Sequence, residues 1–251
     1  KFGLDPFPLE YVSHHESHAY AGLLTSRFED AIVIIMDAIG EWSTFSIGEF
    51  RNGELRWIRE QVYPHSLGLL YTAFTKRCGC KPNEEEYIVM GMSAFGEPKF
   101  ADDIVNDFID YDPNDFRFTL KANLHRGIGD WRPEAQPLDI AASVQAVTER
   151  IVLDAVKWAG RTIASKNLVL MGGVALNCVA NSRVASYWAE HTGAKDRIWI
   201  MPNPGDAGSS LGAAAAVLGS QLQWRDPYLG TEIARPFELE KMLKRILDKQ
   251  V

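Results

Sequence analysis

Apolar and polar positions alternate in blocks along the chain, and the blocks mark out an α/β protein. Ala31–Asp37 is a continuous, largely β-branched run, the pattern of a strand buried on both faces. Gly40 permits a turn after it. Ser43–Phe50 and Leu55–Val62 read as two more strands, and Asn52-Gly53 between them is a strong hairpin signal. Together they predict an antiparallel meander. Upstream, Glu10-Tyr11-Val12 reads as a short strand running into a helix over His15–Thr25. Downstream, Ser66 caps a helix reaching Arg77, and Glu85–Met92 forms another that stops near Gly96-Glu97-Pro98. Ala101–Pro137, rich in Asp, Asn, Gly and Pro, reads as a peripheral insertion with one short strand at Phe116–Leu120. Leu138–Ala164 is a long amphipathic helix, with Ile140, Val144, Val147, Ile151, Ala155 and Trp158 on one stripe. Two strand–helix units follow: Asn167–Met171 with Asn177–Trp188, then Arg197–Met201 with Ser209–Leu218. From Pro236, well placed at a first turn, Leu239, Met242, Leu243 and Ile246 recur at helical spacing.

A meander followed by two such units resembles one ribonuclease-H-like half of the actin, sugar-kinase and Hsp70 ATPase fold. The fold class expected is α/β, a mixed five-stranded sheet with helices on both faces. Residues 30–219 make one such lobe, with an insert at 101–137. Residues 1–29 carry the end of a preceding lobe, whose greater part is missing, and residues 220–251 a linker. No internal repeat is visible.

Composition adds exclusions. The 251 residues are 46% hydrophobic and 24% charged, with a net charge of -7. That balance argues against non-specific binding to nucleic acid or an anionic membrane. The longest apolar run, Ala31–Met36, is strand-sized, and no signal peptide is visible. The chain opens at Lys1 without Met, so residues are expected before it. Cys78, Cys80 and Cys178 are odd in number, and Cys78-Gly79-Cys80 is too tight for an ordinary disulfide loop. Reduced thiols in a cytoplasmic protein are the reading, with Cys78 and Cys80 inert.

The densest chemistry is Ser13-His14-His15-Glu16-Ser17-His18, which holds three of the six histidines. On a helix, His14 and His18 share one face, a way to offer two nitrogen ligands to one metal. A solvated polar helix start is the alternative. His15 points off that face, towards substrate or simply solvent. The residue after His14 is not the Glu that zinc proteases of the His-Glu-x-x-His type use as a base, which disfavours a protease. Asp37 ends a buried strand beside a Gly turn, where α/β proteins place ligands, although an Asp capping a turn is about as common. Ser43 and Thr44 beyond it are candidates to face a phosphate. Gly172-Gly173-Val174-Ala175-Leu176-Asn177 joins strand to helix and offers backbone N–H groups to negative charge. Pro204-Gly205-Asp206-Ala207-Gly208-Ser209 repeats that design at the next strand, with Asp206 also readable as a helix cap. The two turns are expected side by side on one edge of the sheet, opposite Asp37. Pro64-His65-Ser66-Leu67-Gly68 and Val89-Met90-Gly91-Met92 read as packing sites.

In this order, His14-His15-x-x-His18-Ala19, Asp37-Ala38-x-Gly40-Glu41, Pro64-His65-Ser66-Leu67-Gly68-x-x-Tyr71, Val89-Met90-Gly91, Gly172–Asn177 and Gly205–Gly208 resemble the O-carbamoyltransferases. That is the family of nodulation-factor, tobramycin and cephamycin carbamoyltransferases. The resemblance runs from about Tyr11 to Glu232, with Pro227-Tyr228-Leu229-Gly230 similar to the segment where the family's first domain ends. That domain is related to the enzyme that forms threonylcarbamoyladenosine in tRNA.

The resemblance implies iron(II), with zinc or manganese as alternatives, held by His14, His18, Asp37 and Asp206. It implies ATP and carbamoyl phosphate as substrates, from which an absent C-terminal domain forms carbamoyl-adenylate. It also implies a small-molecule hydroxyl acceptor. Gly172, Gly173, Val174, Asn177, Gly205, Gly208 and Ser209 become the candidates for binding the adenylate, and His15 the candidate for assisting deprotonation. One departure stands out: Ile88 occupies the position before Val-Met-Gly where the family usually carries Lys. Two other readings remain open, a tRNA threonylcarbamoyl relative and a non-catalytic nucleotide-binding module of the same fold.

Overall fold

The structure is a computed structural model and describes residues 9–227. It opens on helix α1 (His14–Ser26), followed by strands β1 (Asp30–Gly40), β2 (Ser43–Arg51) and β3 (Glu54–Val62). Asn52 and Gly53 both take positive φ, 54° and 81°, the primed turn that the strands' twist favours. Helices α2 (Leu67–Arg77) and α3 (Glu86–Met92) come next. Ser66 caps α2 by accepting from the Leu69 N–H. Then come α4 (Ala101–Phe108), the hairpin of β4 (Ile109–Asp112) and β5 (Arg117–Leu120), and the long α5 (Pro137–Thr162). The chain continues through β6 (Leu168–Met171), α6 (Cys178–Thr192), β7 (Ile198–Trp199) and α7 (Asp206–Leu218).

Five strands form one mixed sheet in the order β3-β2-β1-β6-β7. The meander is antiparallel, whereas β6 runs parallel to β1 and β7 parallel to β6. The central place of β1 explains its unbroken apolar run. Ile32, Ile34 and Met36 enter one core with α2, α5 and α6. Ala31, Val33 and Ile35 enter a second core on the opposite face with α1. Helices therefore cover both faces. Helix α1, assigned by the sequence reading to the end of a preceding lobe, packs on this sheet and on α7. A Cβ at Gly212 of α7 would strike the Ser17 carbonyl, so the two helix backbones touch there.

Two expectations are corrected. Glu10-Tyr11-Val12 forms no strand: it has no ladder partner among the described residues, and Tyr11 is 90% exposed. The segment from Ala101 to Pro137 is not peripheral. It contributes Ile104, Ile109, Phe118, Leu120 and Leu124 to the larger core. Phe74 of α2 meets Phe108 and Trp131 edge-on, at 5.5 Å and 5.4 Å between ring centroids. The Arg77 guanidinium donates to the carbonyls of Trp131 and Arg132. The helix expected from Pro236 and the Tyr228–Gly230 stretch lie outside the described residues. No described helix is long and apolar enough to cross a membrane.

Candidate metal centre and the adjoining cavity

The start of α1 sets the geometry. The Glu16 carboxylate accepts from the Ser13 N–H at 3.3 Å and from the Ser13 hydroxyl at 2.7 Å, so the acid inside the histidine run closes the helix N-terminus. His14 and His18, one turn apart, both face the end of β1. Their Nε2 atoms stand 3.0 Å from each other. Asp37 Oδ2 lies 3.0 Å from His14 Nε2 and 3.3 Å from His18 Nε2. Asp206, the first residue of α7, places Oδ1 at 3.4 Å and 3.3 Å from the same two nitrogens. All four atoms fall within 4.8 Å of one another. His18 is fully buried while the Asp206 side chain is 74% exposed, so the cluster is closed on one side and open on the other.

Charge follows from this packing. Burial alone would raise the Asp37 pKa. The hydrogen bonds from His14 and His18, with that from the Ala38 N–H, outweigh it and hold the carboxyl well below the usual range. The Asp37 hydrogen bond in turn raises the His14 pKa against burial.

This donor set fits a divalent cation. Two imidazole nitrogens 3.0 Å apart cannot both direct hydrogens at each other, and a cation taking the place of the Nε2 hydrogens would meet two nitrogen lone pairs and two carboxylate oxygens together. Ligand atoms about 2.0–2.2 Å from one ion stand roughly 3.0–3.5 Å apart, the spacing of the two histidine nitrogens from each other and from each carboxylate oxygen. Imidazole with carboxylate suits iron(II), zinc or manganese.

His15 lies behind the cluster. It is 3% exposed, its Nδ1 pairs with the Ser46 hydroxyl at 2.7 Å, and its Nε2 is buried with no hydrogen-bond partner among the described residues. Burial lowers its pKa to about 4. The expectation that His15 faces substrate or solvent is therefore corrected, and a general base there has no open path to a substrate proton. Thr44 is corrected too: its hydroxyl is buried and donates to the carbonyls of His65 and Gln61, away from any phosphate.

Parallel pairing of β1, β6 and β7 brings Asp37, Gly172-Gly173 and the Pro204–Asp206 turn to one end of the sheet. Asp37 is thus their neighbour rather than opposite them. Gly172 has φ 92°, and a Cβ there would strike the Met36 carbonyl. The turn consequently lies against β1, and the Gly172 N–H donates to Pro204 at 2.9 Å.

A cavity of about 390 Å³ opens beside Asp37. One wall is formed by Gly68, Tyr71 and Thr72 of α2 with Glu86 and Tyr87 of α3. Gly173, Val174 and Asn177 also line the cavity, whereas Gly172, Gly205, Gly208 and Ser209 are not among its lining residues. Among the described residues no Lys or Arg lines it, and Glu84 and Glu86 do. Thr72 donates to Glu86 at 2.8 Å. Residue types alone did not assign Thr72, Asn83 or Glu86 to a site. The available signal for Tyr71 was its place three residues after Gly68 in the quoted motif. That Ser-Leu-Gly segment does pack as expected, with the Ser66 hydroxyl donating to the Asp37 carbonyl at 3.0 Å.

Residues 4–215 match the family model described as "Carbamoyltransferase N-terminus". Uncharacterized protein sll1178 of Synechocystis sp. is 39% identical over 236 residues, which cover 86% of this chain and 37% of that protein. Nodulation protein NolNO of Sinorhizobium fredii is 31% identical over 220 residues, 84% of this chain and 31% of NolNO. Nodulation protein NolO of Bradyrhizobium diazoefficiens is 30% identical over 243 residues, 92% of this chain and 40% of NolO. The chain thus spans 31% to 40% of the length of these relatives. Among solved structures, full-length HypF in its phosphate- and nucleotide-bound form aligns with TM-score 0.51 at 14% identity, over 86% of this chain and 43% of that one. HypF of T. kodakarensis aligns with TM-score 0.52 at 16% identity, over 82% and 36%. At that identity the likeness is one of fold.

Proposed function

Because the chain belongs to the carbamoyltransferase N-terminal family, we propose that it is the transferase portion of an O-carbamoyltransferase acting on a small-molecule hydroxyl acceptor. The observation that carries this reading is the convergence of His14, His18, Asp37 and Asp206 beside a cavity lined by the Gly173–Asn177 turn. The mixed sheet, with its antiparallel meander and parallel pair, supports a ribonuclease-H-like half of the actin, sugar-kinase and Hsp70 ATPase fold. The shorter length against the relatives supports a further segment that forms the adenylate from carbamoyl phosphate and ATP. Three unpaired cysteines fit a reducing, cytoplasmic setting.

His14, His18, Asp37 and Asp206 are the residues that would hold the metal, iron(II) before zinc or manganese. When bound, the metal supplies Lewis acidity and neutralises phosphate charge. Asp37, held ionised, keeps an anionic ligand atom aimed at the centre, and the open Asp206 side is where the carbamoyl group arrives. The cavity takes the neutral, hydroxyl-bearing part of carbamoyl-adenylate, because its lining offers amide, hydroxyl and carboxylate groups but neither Lys nor Arg. The acceptor oxygen forms a bond to the carbamoyl carbon while the bond from that carbon to the phosphate oxygen breaks. AMP leaves, and the acceptor proton departs with the phosphate or to water. His15 supports the wall behind the His14–His18 pair.

The test is metal content with carbamoyl transfer. Purified chain, alone and with the remaining segment of its parent, is supplied with carbamoyl-adenylate and hydroxyl acceptors. We expect about one bound metal per wild-type chain and little in His18→Ala, with transfer lost in parallel. Wild-type protein without metal affinity would overturn the site. Wild-type protein that binds metal and nucleotide but transfers nothing in either setting supports the non-catalytic module instead. A tRNA relative predicts a gel shift with tRNA, which the net charge of -7 opposes.

A further inference from the structure

Beneath the cavity runs a buried hydrogen-bond network centred on Gln145 of α5. Gln145 is 3% exposed and does not line the cavity, yet every one of its amide hydrogen-bonding positions is used. Its Oε1 accepts from the Tyr71 hydroxyl at 2.9 Å and from Asn177 Nδ2 at 2.9 Å. Its Nε2 donates to Asn177 Oδ1 at 3.0 Å and to Glu149 Oε1 at 3.0 Å. Glu149, one turn on, pairs with Arg183 of α6. Asn177 Oδ1 also accepts from the Ala180 N–H at 3.0 Å, which caps α6.

Tyr71 and Asn177 both line the cavity, Tyr71 in the wall contributed by α2 and Asn177 in the wall contributed by the turn into α6. Those walls come from distant parts of the chain, and Gln145 bonds to both. Its amide pair with Asn177 is two-pronged, which fixes the plane of the Asn177 side chain as well as its distance. An apolar residue at 145 would leave the buried Tyr71 hydroxyl and the half-buried Asn177 amide without these partners.

We propose that Gln145 is a positioning residue that sets the separation of the cavity walls, and so the affinity of the adenylate bound between them. The inference rests on the reading of that cavity as the adenylate pocket. Gln145 acts through Tyr71 and Asn177 and touches no ligand itself. Gln145 has no hydrogen bond to the candidate metal ligands on α1, β1 and α7, of which Asp37 also lines the cavity.

The experiment compares wild type, Gln145→Met, Tyr71→Phe and the double variant in titrations with AMP and, separately, with Mn²⁺. Amide exchange of residues 173–180 is read in the same samples. Met keeps the length of Gln without its hydrogen bonds, and Phe removes a single hydroxyl should Gln145→Met fold poorly. We expect AMP to bind about tenfold more weakly to Gln145→Met and about threefold more weakly to Tyr71→Phe. The double variant should be no weaker than Gln145→Met, since both act through one amide. Residues 173–180 should exchange faster, while Mn²⁺ affinity stays at the wild-type value. Wild-type AMP affinity and exchange in Gln145→Met would overturn the proposal, as would parallel loss of AMP and Mn²⁺ binding. If wild type binds no AMP, the pocket reading falls, and the exchange of residues 173–180 still decides whether Gln145 holds the walls.

Discussion

Asp37 is where burial and charge compete most directly. A carboxylate this deep is unfavourable unless paired, and His14, His18 and the Ala38 N–H pair it. Asp37→Asn keeps the shape and removes the charge. We expect it to weaken metal binding at least tenfold with little change in fold, as read by calorimetric titration and circular dichroism. Cys78 behaves oppositely, because burial favours its neutral thiol and pushes the pKa from 9.0 to about 11. The unfolded thiol ionises first, so this contribution is full below pH 9 and is lost as pH rises through about 11. Relative to Cys78→Ala, wild type should therefore lose on the order of 2 kcal/mol of stability over that interval. Urea unfolding at pH 8.5 and pH 11 measures it, and equal loss in both proteins would sink the idea. The His14–His18 pair was readable from spacing alone, since i and i+4 share a helix face. The burial of His15 was not, because a helix face acquires an inside only once β2 supplies Ser46 to cover it.

Between elements, the contact that builds the centre is α1 on α7. Asp206 reaches the histidines only because Gly212 lets the two backbones touch at Ser17. Gly212→Ala forces the helices apart and should destabilise the chain by about 1–3 kcal/mol. It should also weaken metal binding several-fold while leaving nucleotide affinity in the cavity near wild type, a split that parallel titrations detect. The meander, the long α5 and both Gly-rich strand ends were legible as local patterns of period 2 and 3.6. Helix α4 was not, since its buried side chains are only Ala101 and Ile104 and acidic residues fill its first turn.

Across the whole molecule, one larger core runs from the central sheet through α5 into the 101–137 segment. Excising that segment bares Phe74, which packs on Phe108 and Trp131, so a chain lacking residues 101–136 should fail to fold cooperatively, seen as lost near-ultraviolet dichroism and raised dye binding. A separable insert would instead leave a cooperative transition. Metal bound at about 100 times its Kd should stabilise the fold by about 2.7 kcal/mol. That corresponds to a rise in Tm of roughly 5–10 °C, absent in His18→Ala. By itself, the order of apolar runs, glycine turns and histidine spacing determined the α/β class, the meander and three of the chemical motifs, because each is written in a few neighbouring residues. Tertiary structure alone decided that Asp37 lies beside the two Gly-rich strand ends, how closely Asp206 approaches the histidines, and that Gln145 joins Tyr71 to Asn177. Those facts depend on parallel pairing and helix contact between residues tens to nearly two hundred positions apart, where no local period carries a signal.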